Sequence, residues 1–357
     1  MKPGWLQANG WVRSFDVVSY MSTEHGDWLR QVQEEPLEPE LPICDAHHHL
    51  WDRPASRYLI DDLVADAEDH NVVSSVFVEC MANYYEEGSE EMRPVGETVF
   101  IDAIASAVAQ DASQKMVGAA AIIAYADLRL GSAVAPVLEA HREASPSRFR
   151  GTRHGVGWDA HPEVPISHTR PKRGLLMDPM FREGVACLQK LGLIYESYLY
   201  HTQLTELADL ARTFPELTIV VNHFGGPLGV GPYDVKSEEV MQVWRQGMAE
   251  LAACPAVVAK LGGIAMPRNG FGWHERRLPP TSEELAEATR PFYLHTIEQF
   301  GPRRCMFESN FPVEKQSCSY TVLWNSFKRI ASNFSESEKS DMFCRTAERV
   351  YAIGDDE

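Results

Sequence analysis

Short runs of apolar and β-branched residues alternate along this chain with longer stretches whose apolar positions recur at helical spacing. The first run is Ile43-Cys44-Asp45-Ala46-His47, and seven more fall near 73–78, 116–123, 149–153, 193–199, 218–222, 256–261 and 304–309. Runs this short read as strands, and the longer periodic stretches read as helices. The pattern predicts helices over 61–70, 97–110, 131–143, 179–191, 202–213, 236–252 and 283–299, with two more, 319–331 and 335–348, closing the chain. Start signals support two of them: Asp178-Pro179 offers a cap and a first-turn proline, and Thr281-Ser282-Glu283-Glu284 a cap with acids behind it. Strand alternating with helix predicts an α/β protein with a parallel sheet and right-handed crossovers. Eight such units fit a closed (β/α)8 TIM barrel, with an open doubly wound sheet as the alternative.

Residues 1–40 stand outside that pattern. They are polar and acidic, and they lead into a proline-stiffened stretch, Gln33 to Pro42. No internal repeat and no linker divides residues 41–350. The expected organisation is an N-terminal extension, 1–40, and one barrel domain, 41–352. Three long inserts follow strands, at 80–95, 154–178 and 262–282, and in such a fold these carry function.

Composition narrows the partners. The chain has 357 residues and a net charge of −18, with 44% hydrophobic and 24% charged residues, which excludes a disordered chain. Mean hydropathy is −0.27, and no apolar run approaches the ~18 residues of a membrane helix. The acidic balance, unbroken by any basic block, makes nucleic acid and anionic membranes poor partners. Seven cysteines are widely spaced with no CxxC, and the N-terminus lacks an apolar signal core. A reduced, cytoplasmic protein is expected. A small-molecule substrate remains as the partner, and a homodimer is the default assembly.

The chemistry gathers at strand ends. In Asp45-Ala46-His47-His48-His49-Leu50-Trp51-Asp52, strand alternation turns His47 and His49 to one side and His48 to the other. Two imidazoles so placed can hold one metal ion. Arg153-His154 ends the fourth run, His201 follows the fifth, Asn222-His223 ends the sixth, and Glu308-Ser309-Asn310 ends the eighth. The C-terminal ends of barrel strands are where such folds place their sites. Gly225 to Gly231 matches no phosphate loop, and no GxSxG supports a serine nucleophile.

These segments, with Asn222-His223-Phe224-Gly225-Gly226-Pro227 and Ser309-Asn310-Phe311-Pro312-Val313, resemble the amidohydrolase superfamily in order and strand position. They look most like its amidohydrolase-related branch, which includes 2-pyrone-4,6-dicarboxylate lactonase and L-fuconolactonase. The resemblance covers about 41–352. It implies a barrel hydrolase that opens a lactone, or a related ester or amide, of a small carboxylated or hydroxylated ring. It places the family's HxH pair on His47 and His49, its strand-six histidine on His223, a third metal-binding histidine on His201, and the lactonase arginine on Arg153, with His154 beside it.

The family's strand-eight Asp, a general base, is replaced here by Asn310. An amide cannot accept a proton at neutral pH, although it can orient a water. Glu308, two residues earlier on the same strand face, is the substitute, acting as base or orienting a histidine. Arg153 is expected to grip a substrate carboxylate, with Tyr84 and Arg268 as loop contacts. The resemblance implies one divalent ion, zinc or manganese. The pyrone lactonase kind acts without one, and the loss of the Asp ligand argues in that direction. Two other functions fit the same residues: a metal-dependent, non-oxidative decarboxylase of an aromatic acid, and a binding protein that has lost the strand-eight acid.

Overall fold

A computed structural model describes residues 22–354, apart from 54–55, 111–114 and 236. Residues 1–21, the greater part of the expected extension, lie outside the described residues, as does Lys236 in the expected helix 236–252.

Eight strands form one parallel sheet in sequence order: β1 (Ile43–His48), β2 (Val72–Val78), β3 (Val117–Ala124), β4 (Phe149–Arg153), β5 (Ile194–Ser197), β6 (Ile219–Val221), β7 (Val257–Leu261) and β8 (Cys305–Phe307). The sheet closes where the chain beyond β8 returns to β1. His48 bridges Phe311 in parallel, Asn310 N–H donates to the His47 carbonyl at 2.8 Å, and His49 N–H donates to the Phe311 carbonyl at 2.8 Å. Asp45 adds a side-chain stitch, accepting from Ser309 N–H at 2.8 Å and from the Tyr320 hydroxyl at 3.0 Å. The closed barrel holds, and the open-sheet alternative falls.

The connecting helices are α2 (Ile60–Ala67), α3 (Val95–Ala109), α4 (Ala135–Ala144), α5 (Pro179–Lys190), α6 (Leu204–Thr213), α7 (Glu238–Ala252) and α8 (Ser282–Phe300), preceded by α1 (Thr23–Leu29) in the lead-in. The two foreseen caps form: Asp178 accepts from the N–H groups of Met180 and Phe181, and Thr281 and Glu284 make a reciprocal capping box. The last expected helix runs without a break as α10 (Glu336–Ser340), a π-helical turn over Asp341–Arg345, and α11 (Thr346–Tyr351), after α9 (Tyr320–Ile330). A small antiparallel hairpin, Trp51–Arg53 with Ser56–Tyr58, follows β1.

Three apolar clusters arise from this layout, the smallest being Val164, Tyr200 and Leu228 beyond the strand ends. The large one lies between strands and helices. The second joins Cys44, Ala46, Val76, Val78, Ala121, Ile123, Val220, Val258 and Met306 inside the barrel, where Cys344, Ala347 and Tyr351 pack on it. Inward strand positions above that plug are left for polar residues. None of the described helices is long and apolar enough to cross a membrane.

Candidate active site

A cavity of about 910 Å³ opens over the C-terminal ends of the strands. Its floor includes His49, Arg153, His223 and Asn310, supplied by the ends of β1, β4, β6 and β8. His47 and Glu308 lie just beneath, both fully buried.

The pairing register shifts between Asp45 and His48, so a bulge sits at His47. Bulges re-aim side chains. His48 turns outward, with its Nε2 3.0 Å from Ser75 Oγ and its ring edge-on to Phe77. His47 and His49 turn toward each other, their Nε2 atoms 3.3 Å apart. The expected division of the three histidines is therefore present. His49 Nδ1 lies 2.7 Å from the Val78 carbonyl, which can only accept, so Nδ1 carries the proton and Nε2 a lone pair. Burial, first, then Lys260, His223, His49 and Arg153 hold His47 well below the usual histidine pKa, and burial and Arg153 do the same to His49. Both imidazoles are neutral at neutral pH.

Glu308 joins two of the histidines. Its Oε1 accepts from His223 Nδ1 at 2.7 Å, and its Oε2 lies 2.7 Å from His47 Nδ1. The His47 and His223 rings stack loosely, 4.7 Å apart. A carboxylate on each Nδ1 leaves the Nε2 atoms to face outward. The surrounding backbone makes room for this. A Cβ on Gly262 would meet Glu308 Cγ at 2.4 Å, and one on Gly263 (φ +69°) would meet His223 Nδ1 at 2.1 Å. His223, Phe224 and Asn310 are themselves left-handed (φ 51°, 56° and 54°), which is costly for non-glycine residues and clusters at functional sites.

Arg153 is placed differently from expectation. Its Nε donates to Glu79 Oε1 at 2.8 Å and its Nη2 to the Glu79 carbonyl at 2.6 Å. The face that would grip a substrate carboxylate is therefore held by Glu79, and Nη1 is turned to His47 Nε2 at 3.3 Å. Burial works to raise the Glu79 carboxyl, and His168 and Arg153 outweigh it, leaving it below its usual range. Behind it, Glu97 is pushed up to about 8 by burial and the Glu79 charge, while its Oε1 accepts from Cys80 and Ala82 N–H. One carboxyl of the pair is ionised and the other protonated. Glu79 was not singled out in the sequence, although an acid directly after Val76-Phe77-Val78 was a usable signal.

The remaining candidates divide. Asn310 lines the floor, with its Nδ2 3.5 Å from Glu314 Oε1, and burial lifts Glu314 to about 8. Arg268 lines the wall, its guanidinium 5.0 Å over the Tyr198 ring, and burial lowers it to about 10. His201 stands apart from the histidine group. It opens a short turn beyond β5, accepts from Leu228 N–H at 3.4 Å and meets the Tyr233 ring edge-on. His154 faces away from the cavity, because the residue after an inward arginine on a strand points outward; it packs on Tyr125 and Phe181. Tyr84 is half-buried, close to Glu97 and Glu79, and does not line the cavity.

The residues fit a divalent ion. Two neutral imidazole lone pairs 3.3 Å apart have the spacing of neighbouring ligands around one tetrahedral ion with bonds of about 2.0–2.1 Å. Their Nδ1 atoms already have the carboxylate and carbonyl partners that orient metal-binding histidines. Around Glu308, ligand atoms of His47, His223 and Glu308 also lie within 4.8 Å of one another.

Histidines from the first and sixth strand ends, set over an eighth-strand acid in a parallel barrel, define a class of site at the C-terminal barrel face. The chain belongs to the amidohydrolase family, whose model matches residues 44–353. It is 30% identical over 342 residues to the protein y4mH of Sinorhizobium fredii, covering 88% of this chain and 99% of that one. It is 29% identical over 244 residues to an L-fucono-1,5-lactonase of Burkholderia multivorans, covering 66% of this chain and 72% of that enzyme. Among solved structures, an amidohydrolase from Burkholderia multivorans with bound zinc superimposes with a TM-score of 0.66 at 24% identity, over 87% of this chain and 99% of that one. That likeness shows the same fold.

Proposed function

We propose that the protein hydrolyses a lactone, or a related ester, at the floor of this cavity. The observation that supports it most is the His223–Glu308 pair: a cavity-lining imidazole whose Nδ1 is held by a fully buried carboxylate at 2.7 Å. That arrangement makes Nε2 a general base without the strand-eight Asp of the resembled family. Glu308 is then a positioning residue: its Oε1 accepts from His223 Nδ1, and its Oε2 lies 2.7 Å from His47 Nδ1.

In the proposed reaction His223 Nε2 takes a proton from a water held beside the Asn310 amide. The water oxygen attacks the lactone carbonyl carbon, and the carbonyl oxygen becomes an oxyanion. Arg153, fixed by Glu79, presents Nη1 to that charge. As the tetrahedral centre collapses, the ring C–O bond breaks, and His223 returns its proton to the leaving oxygen. The product is a hydroxy acid. A divalent ion, zinc or manganese, held by His47 and His49 would polarise the carbonyl and lower the pKa of bound water. Arg268 on the wall favours an anionic or hydroxylated substrate.

The test is turnover on a panel of sugar lactones, alkyl lactones and carboxylated aryl acids. His223→Asn lowers kcat by about 10²–10⁴, the usual worth of general acid–base catalysis. Glu308→Gln lowers kcat, because an amide replaces the carboxyl group that holds the imidazole by its Nδ1. Carbon dioxide release from aryl acids with every lactone inert would replace hydrolysis by decarboxylation. Wild-type rates in both variants would remove the His223–Glu308 pair from the mechanism.

A further inference from the structure

The cavity is too large and too unevenly lined for a single small ring. At about 910 Å³ it sits near the top of the range, roughly 300–1,000 Å³, that holds ligands of drug size. A one-ring acid seated against His223 and Asn310 leaves most of that volume to water.

The lining changes character from floor to mouth. The floor is polar and closed, with His49 5%, His223 3% and Asn310 2% exposed. The mouth is more open, and exposed apolar side chains stand there among charged ones: Met81 is 39% and Ile166 47% exposed, with Glu163 and Arg170 exposed in the same lining, while Trp51, also in the lining, is 3% exposed. Large apolar side chains left in water beside a cleft mark a binding surface. This one is also stiff. Pro162, Pro165 and Pro171 fix the backbone of the insert that bears Ile166. The Tyr200 hydroxyl donates to the Pro165 carbonyl, and the Ser167 N–H to the Gly157 carbonyl at 2.9 Å. The Arg53 guanidinium, itself in the lining, lies 4.9 Å over the Trp51 ring, and Arg53 is tied to the Cys80 carbonyl at 2.6 Å. The apolar shelf is thus formed before any ligand arrives, which limits the entropy lost on binding.

Building on the hydrolase reading of the floor, we infer that the substrate is amphipathic: a polar lactone or ester head bearing a hydrocarbon or aryl arm at least as large as the head. The head reaches His223 and Asn310. The arm lies along Trp51, Met81 and Ile166. Water released from Met81 and Ile166, the two exposed members of the three, supplies much of the binding energy, and Arg268, on its Tyr198 platform, sits beside the head.

The experiment uses the full chain and a series of γ- and δ-lactones whose alkyl substituent lengthens by single methylenes, alongside phenyl-substituted members. The expected kcat/KM rises about fourfold for each of the first several methylenes, the worth of one buried CH2, and then levels off. Trp51→Ala and Ile166→Ala reduce the ratio of long-arm to short-arm kcat/KM. A flat or falling series, with the shortest lactones turned over, overturns the amphipathic substrate and leaves the hydrolase standing. If no lactone is turned over, the hydrolase reading fails. The arm is then tested by calorimetric binding of the matching hydroxy acids, for which affinity must still climb with arm length. Affinity indifferent to length overturns the inference on that route as well.

Discussion

Glu97 and Glu79 share a fully buried space, and only one of them can ionise cheaply. The Arg153 guanidinium, bonded to Glu79, keeps the charge there, so Glu97 holds its proton to about pH 8, against 4.5 for an ordinary glutamate. At this group the folded protein keeps, between those two values, a proton that the unfolded chain has lost. Stability from this group is complete below pH 4.5 and is lost as pH rises through 8. Within that window the slope reaches at most about 1.4 kcal/mol per pH unit. Glu97→Gln keeps an acceptor for the Cys80 and Ala82 N–H groups and cannot ionise. Urea unfolding at pH 5.5, 7 and 8.5 should show wild type losing stability relative to Glu97→Gln as pH rises. Parallel curves would mean that Glu97 is ionised throughout.

Between elements, the inward side of the barrel holds a second buried charge pair. Lys260 on β7 donates to both carboxylate oxygens of Glu196 on β5, at 2.9 and 2.8 Å, and neither side chain is exposed. Asn222 donates to Glu196 as well, and so does the Tyr351 hydroxyl of α11, which ties the closing helix to the strands. Removing one partner leaves a buried charge alone, so Lys260→Met should cost about 3–5 kcal/mol in denaturant unfolding, and adding Glu196→Gln should recover much of it. Equal stability of the single and double variants would mean that water reaches Glu196. Strands and helices were legible because their periods are local: every barrel strand lies where an apolar run predicts it. The histidine division on β1 was legible for the same reason. Pairings were not. Arg153 finds Glu79 across 74 residues and Lys260 finds Glu196 across 64, separations at which a single sequence has no periodic signal. His154 and His201 share the strand-end address of the other candidates, but side-chain direction separates them, and proximity along the chain does not report direction. Gly262 and Gly263 begin the third long insert, and only their closeness to Glu308 and His223 explains why no side chain is tolerated there.

At the scale of the whole molecule, charge and site pull in different directions. A net charge of −18 draws divalent cations to the surface at large, so stabilisation by a metal is not by itself evidence of a site. The His47–His49 pair gives a sharper expectation. Its two lone pairs face each other at 3.3 Å, an arrangement that an ion between them relieves once Arg153 Nη1, 3.3 Å from His47 Nε2, gives up that contact. An ion bound by the folded protein alone stabilises it by about 2.7 kcal/mol at a hundred times its dissociation constant, which for a chain of this size is a few degrees in Tm. Added zinc should raise the wild-type Tm by that amount, while magnesium at the same concentration, which responds to charge and avoids imidazole pairs, should not. His49→Ala leaves the net charge unchanged, because His49 is neutral, and should abolish the zinc shift. Protons compete for the same lone pairs, but burial holds both imidazoles well below the usual histidine pKa, so the wild-type shift should persist when the pH is lowered to 6. A zinc shift equal in wild type and His49→Ala, or one matched by magnesium, would assign the effect to the acidic exterior and leave the histidine pair to bind substrate without an ion.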